Sequence, residues 1–569
     1  MNTSTVIHSR SRGNSHRKLV LVLTAALVLG VGSGARAQRP TVPLFHNLGS
    51  HAYTITTRVP QAQRYFDQGL RLYYAFNHAE AIRAFNEAVR LDPECAMCYW
   101  GTALAYGPNI NMPMDSAAGA AAYEAIQKAK ELAAGTSAKE RAFIEALSMR
   151  YAPVPPADRA ALDSAYARGL KRVVEQYPDD PEASTLYAES LMDLSPWNYW
   201  EKDGSPRPET TELLARLERV MLAYPDHPGA NHFYIHAVEA VDPERAVAAA
   251  ERLAGLMPGA GHLVHMPGHI YVRVGRYREA IKANQHAVHA DETYIQDQNP
   301  AFGVYVAGYY PHNYDFLAFA ASMIGRSEQS VGAAEKMVSL APPELLRAPG
   351  LTFLQAHQTR HLQFKVRFSK WDDILNEPAP AEDLPHARGI WHYARGRALA
   401  ARGNVPGAQA ELSKLESIAS DPNIAGMRLE FNSSSAILGI ATEVLAGHVA
   451  VARGDLQTAI ERLREAVRLE DQLAYGEPPE WSVPVRQELG TMLLEAGQAA
   501  EAERVFREDL ERFPENGWSL HGLAQALQAQ GRDSEAIDVI TRFRRAWASA
   551  DMQISESGYL IVRGSQESQ

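Results

Sequence analysis

Apolar residues along the chain recur in a fixed order of sizes, with polar residues filling the intervals. Between Gln68 and Pro93 the order is small at Gly69, large at Leu72, small at Ala81, large at Phe85 and small at Ala88. It returns as Gly268, Tyr271, Ala280 and Ala287, and as Gly396 and Ala408. Two further copies are Gly447, Ala459 and Ala466, then Gly490, Ala502, Phe506 and Pro514. Ala280 follows Ala246, and Ala536 follows Ala502, by one period of about 34 residues. Weaker copies centre on Gly325 and on the Trp371–Ile374 stretch, with divergent pairs near 97–130 and 140–225. Steps of three and four residues return to one helical face, so each unit predicts two helices. β-branched residues do not cluster in alternating runs, and no strand is predicted.

This set of offsets resembles the tetratricopeptide-repeat (TPR) consensus. That family places small, large, Ala, apolar, Ala and Pro residues at positions 8, 11, 20, 24, 27 and 32 of a roughly 34-residue helix pair. Gly69, Leu72, Ala81, Phe85, Ala88 and Pro93 match all six in order. The resemblance implies an all-α fold, an α-solenoid or superhelix of about ten to twelve TPR-like antiparallel helix pairs. Small residues let the two helices of a pair approach, and large ones fill the space between pairs. The runs Cys-Ala-Met-Cys-Tyr-Trp-Gly, His-Leu-Val-His-Met-Pro-Gly-His-Ile-Tyr and Tyr-Pro-His-Asn further resemble a group of bacterial exported TPR proteins. The resemblance names an architecture and no reaction.

Three interruptions break the short-loop rule of such stacks: 107–115, 195–208 and about 297–311. Insertions of this kind sit at one edge of a solenoid and cap or line its groove. The domain reading is a leader at 1–37, an extended segment at 38–60, an N-terminal array at 61–345, a C-terminal array at 346–550 and a tail at 551–569.

The leader is read from Arg10, Arg12, Arg17 and Lys18, an apolar run from Leu19 to about Val31, and Ala35-Arg36-Ala37 before Gln38. Cleavage is expected after Ala37, which makes the mature protein periplasmic or secreted. No later apolar run reads as long enough to span a bilayer. The net charge of −11 and the lack of a basic stripe argue against a nucleic-acid partner. Two cysteines exclude a disulfide framework as the source of stability.

Candidate chemistry concentrates on the face that, in TPR proteins, lines the concave groove. Positions 2, 5 and 9 of the copy beginning near Gly261 are His262, His265 and His269. The next copy places His312 and Asp315 there, beside Asn313. The preceding one places Asn231 and Glu239, with His232 and His236 one step aside. One copy earlier come Glu189 and Asp193. Neutral imidazole is the commonest metal ligand, and three or four such donors suit Zn or Cu. The six histidines are therefore candidate ligands, with Glu189, Asp193, Glu239 and Asp315 as acid/base or orienting carboxylates. A polar site for a peptide, protein segment or small molecule, and plain polar packing, stay open beside it. Two readings of function follow: an exported binding scaffold with a His- and carboxylate-rich site, or a metal-dependent enzyme acting on a small substrate.

Cys95 and Cys98, beside Trp100, form a CxxC that reads as a local structural disulfide, with a redox or metal role as the alternative. Met112 and Met114 read as loop anchors, or as soft donors for Cu(I). No His follows Cys98, so covalent haem is not expected. Met266 occupies the Glu position of a HExxH motif, which removes thermolysin-type chemistry. The absence of Walker and dinucleotide fingerprints leaves no expectation of nucleotide or flavin.

Overall fold

The repeated order of sizes is a packing rule. Phe85, fully buried, lies between the helix Pro60–Tyr74 of its own pair and Ala96–Ala105 of the next. A Cβ added at Gly69 or at Gly101 would stand only 2.6 and 2.5 Å from the Phe85 ring. Phe506 is held the same way, between Gly490 of its own pair and Gly522 of the following one. A large side chain from each second helix thus fills a notch that two glycines leave open, and neighbouring pairs lock at van der Waals contact.

The computed structural model describes residues 42–348 and 350–554. Among them, twelve antiparallel helix pairs follow one another from Pro60–Tyr74 with His78–Leu91 to Gly517–Ala529 with Asp533–Ala546. The fold is an all-α solenoid; β-structure is limited to isolated bridges. Many pair turns end in a left-handed glycine. At Gly275, φ is +76° and a Cβ would meet the Pro514 carbonyl at 2.7 Å, so no other residue fits. The expected leader and its cleavage point after Ala37, and the tail from 555 onward, lie outside the described residues.

Before the first helix, the chain runs extended as a strap. Ile55 N–H donates to Gln63, and Thr56 donates through both its amide and hydroxyl to the Glu140 carboxylate. One sequence reading needs correction. The helix Ser434–Ala452 is long and apolar enough, by length and composition, to cross a membrane. Its apolar character has another cause here: Ile437, Leu438, Ala441, Val444 and Leu445 are all buried in the core between helix pairs.

The winding brings distant pairs together. Arg273 donates to the carbonyl of Arg512 and lies 3.7 Å from Glu477. Arg360 bonds both Asp315 and the carbonyl of Glu480. Trp518 donates to the carbonyl of Ser322. The histidine stripe is therefore enclosed, where the sequence reading had it on an open concave face. His262, His265 and His269 are at most 2% exposed.

Candidate functional site

Three successive first helices supply the imidazoles. His227 caps the helix Pro228–Val238, its Nδ1 accepting from Ala230 N–H. His232 and His236 follow one turn apart on that helix, and Glu239 closes it. Gly261–His265 continues through Met266 into Pro267–Arg273, and Pro267 sits where its missing N–H costs nothing. His262, His265 and His269 share one face by their spacing. His312 lies in the first turn of Tyr310–Met323, directly after a π-helical turn at Tyr305–Tyr309.

These residues form two adjoining trios. The ligand atoms of His232, His236 and His262 lie within 4.8 Å of one another, as do those of His265, His269 and His312. Glu239 stands behind both: one carboxylate oxygen is 3.0 Å from His236 Nδ1 and the other 2.5 Å from His269 Nδ1.

The outer bonds fix which nitrogen carries hydrogen. Asn284 donates its amide to the Ala280 carbonyl, so its Oδ1 is left to accept from His265 Nδ1 at 2.7 Å. His269 Nδ1 and His236 Nδ1 donate to Glu239, and His232 Nδ1 donates to the carbonyl of Tyr74 at 2.7 Å. Each of these four rings then turns a lone pair inward from Nε2. The Nε2 atoms of His265 and His269 face each other at 2.8 Å. His236 Nε2 and His262 Nδ1 are buried without a partner.

Electrostatics favour the neutral form at five of the six rings. Burial, then the neighbouring imidazoles, push His232, His262, His265 and His312 well below their ordinary value. Burial likewise lowers His236, although Glu239 opposes it. Burial would raise Glu239, yet the His269 and His236 rings more than offset it and hold the carboxyl at about 2.

Aromatic rings wall the cluster. Phe76 has its centroid 4.5 Å from His232 and 5.3 Å from His262. Phe316 lies 4.6, 4.5 and 5.1 Å from His265, His269 and His312. The three insertions meet here. Trp197 of the second lies 5.1 Å from His236 and donates to Asn111 of the first; Tyr309 of the third lies 4.6 Å from His262. Phe431 of the C-terminal half covers Trp197 at 5.2 Å. Phe76 and Trp197 both have positive φ, 55° and 63°, a backbone cost of about 1–3 kcal/mol that places their rings against imidazole.

The other candidates go elsewhere. Glu189 accepts from the Tyr73 hydroxyl with both oxygens, and burial with the nearby Asp193 raises it. Asp193 pairs with the fully buried Arg150 at 2.5 Å, and Asp315 with Arg360 at 2.7 Å. Asn231 donates to the carbonyls of Pro225 and His227, so it fixes a turn. Asn313 donates to Asp291. Of the four candidate carboxylates, only Glu239 reaches the histidines. Cys95 and Cys98 are joined in a disulfide, buried at the start of the helix Ala96–Ala105, and Trp100 donates to the Phe143 carbonyl.

The sequence reading missed Asn284, Phe76 and Phe316, which no offset marks as groove positions, while Trp197 and Tyr309 lie in two of the insertions it expected to cap or line the groove. It also missed His51, Glu182 and His227, a further close trio. There His227 Nδ1 accepts, so Nε2 carries hydrogen and faces Glu182 at 3.3 Å, and His51 Nε2 lies 2.9 Å from the same carboxylate.

Fold and site together define a helical-repeat protein with an enclosed polyhistidine centre. Tetratricopeptide-repeat family profiles match residues 66–106 and 493–545. Among solved structures, a human IFIT1 dimer with m7Gppp-AAAA is similar at 15% identity and a TM-score of 0.32, over 86% of this chain and 91% of that one. The APC/C hetero-tetramer Cut9–Hcn1 is similar at 12% identity and 0.30, over 86% and 74%. The P58(IPK) TPR domain is similar at 13% identity and 0.21, over 83% and 99%. No curated protein sequence matches.

Proposed function

We propose that this is an exported TPR protein whose enclosed histidine cluster binds a transition metal, Zn or Cu. The carrying observation is the 2.8 Å contact between His265 Nε2 and His269 Nε2. Both rings have given their Nδ1 hydrogen to an outside acceptor, so two lone pairs face each other. Only a cation between them, or an extra proton on one ring, satisfies the contact. An ion answers for more of the site than a proton does, since His236 Nε2 is buried and unpartnered beside it. Nitrogen-only donors with Nδ1 held by carboxylate, amide and carbonyl are the outer support such ions require.

The test is elemental analysis of the exported protein after dialysis. Bound Zn or Cu is expected, with loss of the metal in His265→Ala/His269→Ala. Metal-free wild type that takes up neither ion would end this reading. Intact mass beginning at Gln38 tests export, and retention of Met1 would remove it.

A second reading, catalysis by the ion, is favoured by His312. It is the one cluster imidazole with partial exposure, and three nitrogens leave a coordination position open. The TPR surfaces away from the cluster supply the scaffold role, with a peptide or protein segment as partner.

A further inference from the structure

Nothing about a metal-binding cluster requires more than one ion. The arrangement here is nevertheless duplicated: two sets of three imidazoles adjoin, and each has its own aromatic wall. Phe76 faces the first trio and Phe316 the second. Within a trio the donor atoms fall inside 4.8 Å of one another, near enough for one ion at metal–nitrogen bonds of about 2.1 Å after small ring rotations. Across the trios the ring centroids are 5.4 Å apart for His236–His269 and 5.8 Å for His262–His265, so the two sets adjoin directly. Each set offers three nitrogens to an ion of its own, and two such ions would lie side by side.

Glu239 explains how the two sets are held in step. Its two oxygens take one Nδ1 from each trio, so it orients both. Outer partners for two of the other four rings come from separate elements, Tyr74 for His232 and Asn284 for His265. Resting on the metal-binding reading above, we infer that the protein carries a paired metal centre. One ion is held by His232, His236 and His262, a second by His265, His269 and His312, and Glu239 couples the two sets from behind. Three imidazoles and no thiolate or ligating carboxylate at each position favour copper, the strongest-binding divalent ion of the first row for such donors. Each ion would keep an open position.

The probe is copper(II) added to metal-free full-length protein, followed by dialysis, elemental analysis and electron paramagnetic resonance. The expected result is two copper ions per chain, with less than half of the copper visible by resonance because paired ions couple. His232→Ala/His262→Ala, and separately His265→Ala/His312→Ala, should each retain one copper that is fully visible. Circular dichroism screens out variants that fail to fold, and the wild-type stoichiometry and visibility decide the matter without them. One copper per chain in the wild type would overturn the pairing and leave the single-site reading standing. Two fully visible, uncoupled coppers would also overturn it. Absence of bound copper together with absence of zinc would overturn the metal-binding reading itself.

Discussion

Glu239 Oε2 lies 2.5 Å from Nδ1 of His269, across a gap of thirty positions in sequence and one step of the repeat stack. The same carboxylate holds His236 through its other oxygen, and both partners are almost fully buried. Replacing it tests the support of the centre without removing a ligand. In Glu239→Gln one of the two Nδ1 groups must face an amide N–H instead of an acceptor. Metal affinity is expected to fall by about 10–100-fold, read by competition with a chelator, with helix content unchanged. Equal affinity in the variant would show that Glu239 does not orient the imidazoles.

Gly268 gives access to the other support. A Cβ there would stand 2.7 Å from Asn284 Nδ2, the atom that anchors the amide which accepts from His265. Gly268→Ala is expected to displace Asn284 and weaken metal binding by about 10-fold or more, within the range for lost outer partners. Asn284→Ala should give the same loss. Titration of the two variants beside the wild type checks this, and unaffected binding in both would remove Asn284 from the site.

Asp193 serves the fold. Its partner Arg150 has no exposed surface, so Asp193→Asn leaves a guanidinium without its carboxylate at that contact. Destabilisation of about 3–5 kcal/mol is expected in thermal or denaturant unfolding, with metal stoichiometry unchanged in the folded fraction. Lost metal at full stability would return Asp193 to the site.

The glycine notches predict where the stack breaks. Gly101→Ala drives a methyl group into the Phe85 ring, which is fully buried and closed in by Gly69 on its other side. A cost of about 1–3 kcal/mol is expected, measured as a lower midpoint of thermal unfolding. A tolerated alanine would mean that neighbouring pairs can shift apart at little cost.

Glu470 carries a pH signature far from the histidines. Burial, with Asp509 adding to it against Arg512 and Arg486, raises it to about 7. The ordinary value is about 4.3, so the folded state holds a proton that the unfolded chain releases. Stability therefore falls as pH rises from about 4 to 7, and the full penalty is present above 7. Glu470→Gln keeps an acceptor for Val485 N–H and removes the charge. It should stabilise the protein by about 2–3 kcal/mol at pH 8 and by little at pH 4, read from unfolding midpoints at both.

Much of the architecture was legible in the chain because a repeat is specified locally. Gly69, Phe85 and Gly101 recur at fixed offsets since each pair must fit the next by the same contact. The same frame put His262, His265 and His269 on one stripe, and it drew attention to His232, His236, Glu239 and His312. It could not say which carboxylate would meet the imidazoles. Glu189, Asp193 and Asp315 occupy equivalent groove positions, yet Tyr73, Arg150 and Arg360 claim them, and those partners come from elsewhere in the fold. Nor could the frame show that the stripe would be closed over. That depended on Phe76 and Trp197 taking left-handed backbone conformations, on three insertions converging, and on Phe431 arriving from the C-terminal half. Offsets within a helix fix which side chains share a face. Which hydrogen each imidazole gives away, and to whom, is settled only when distant helices have packed.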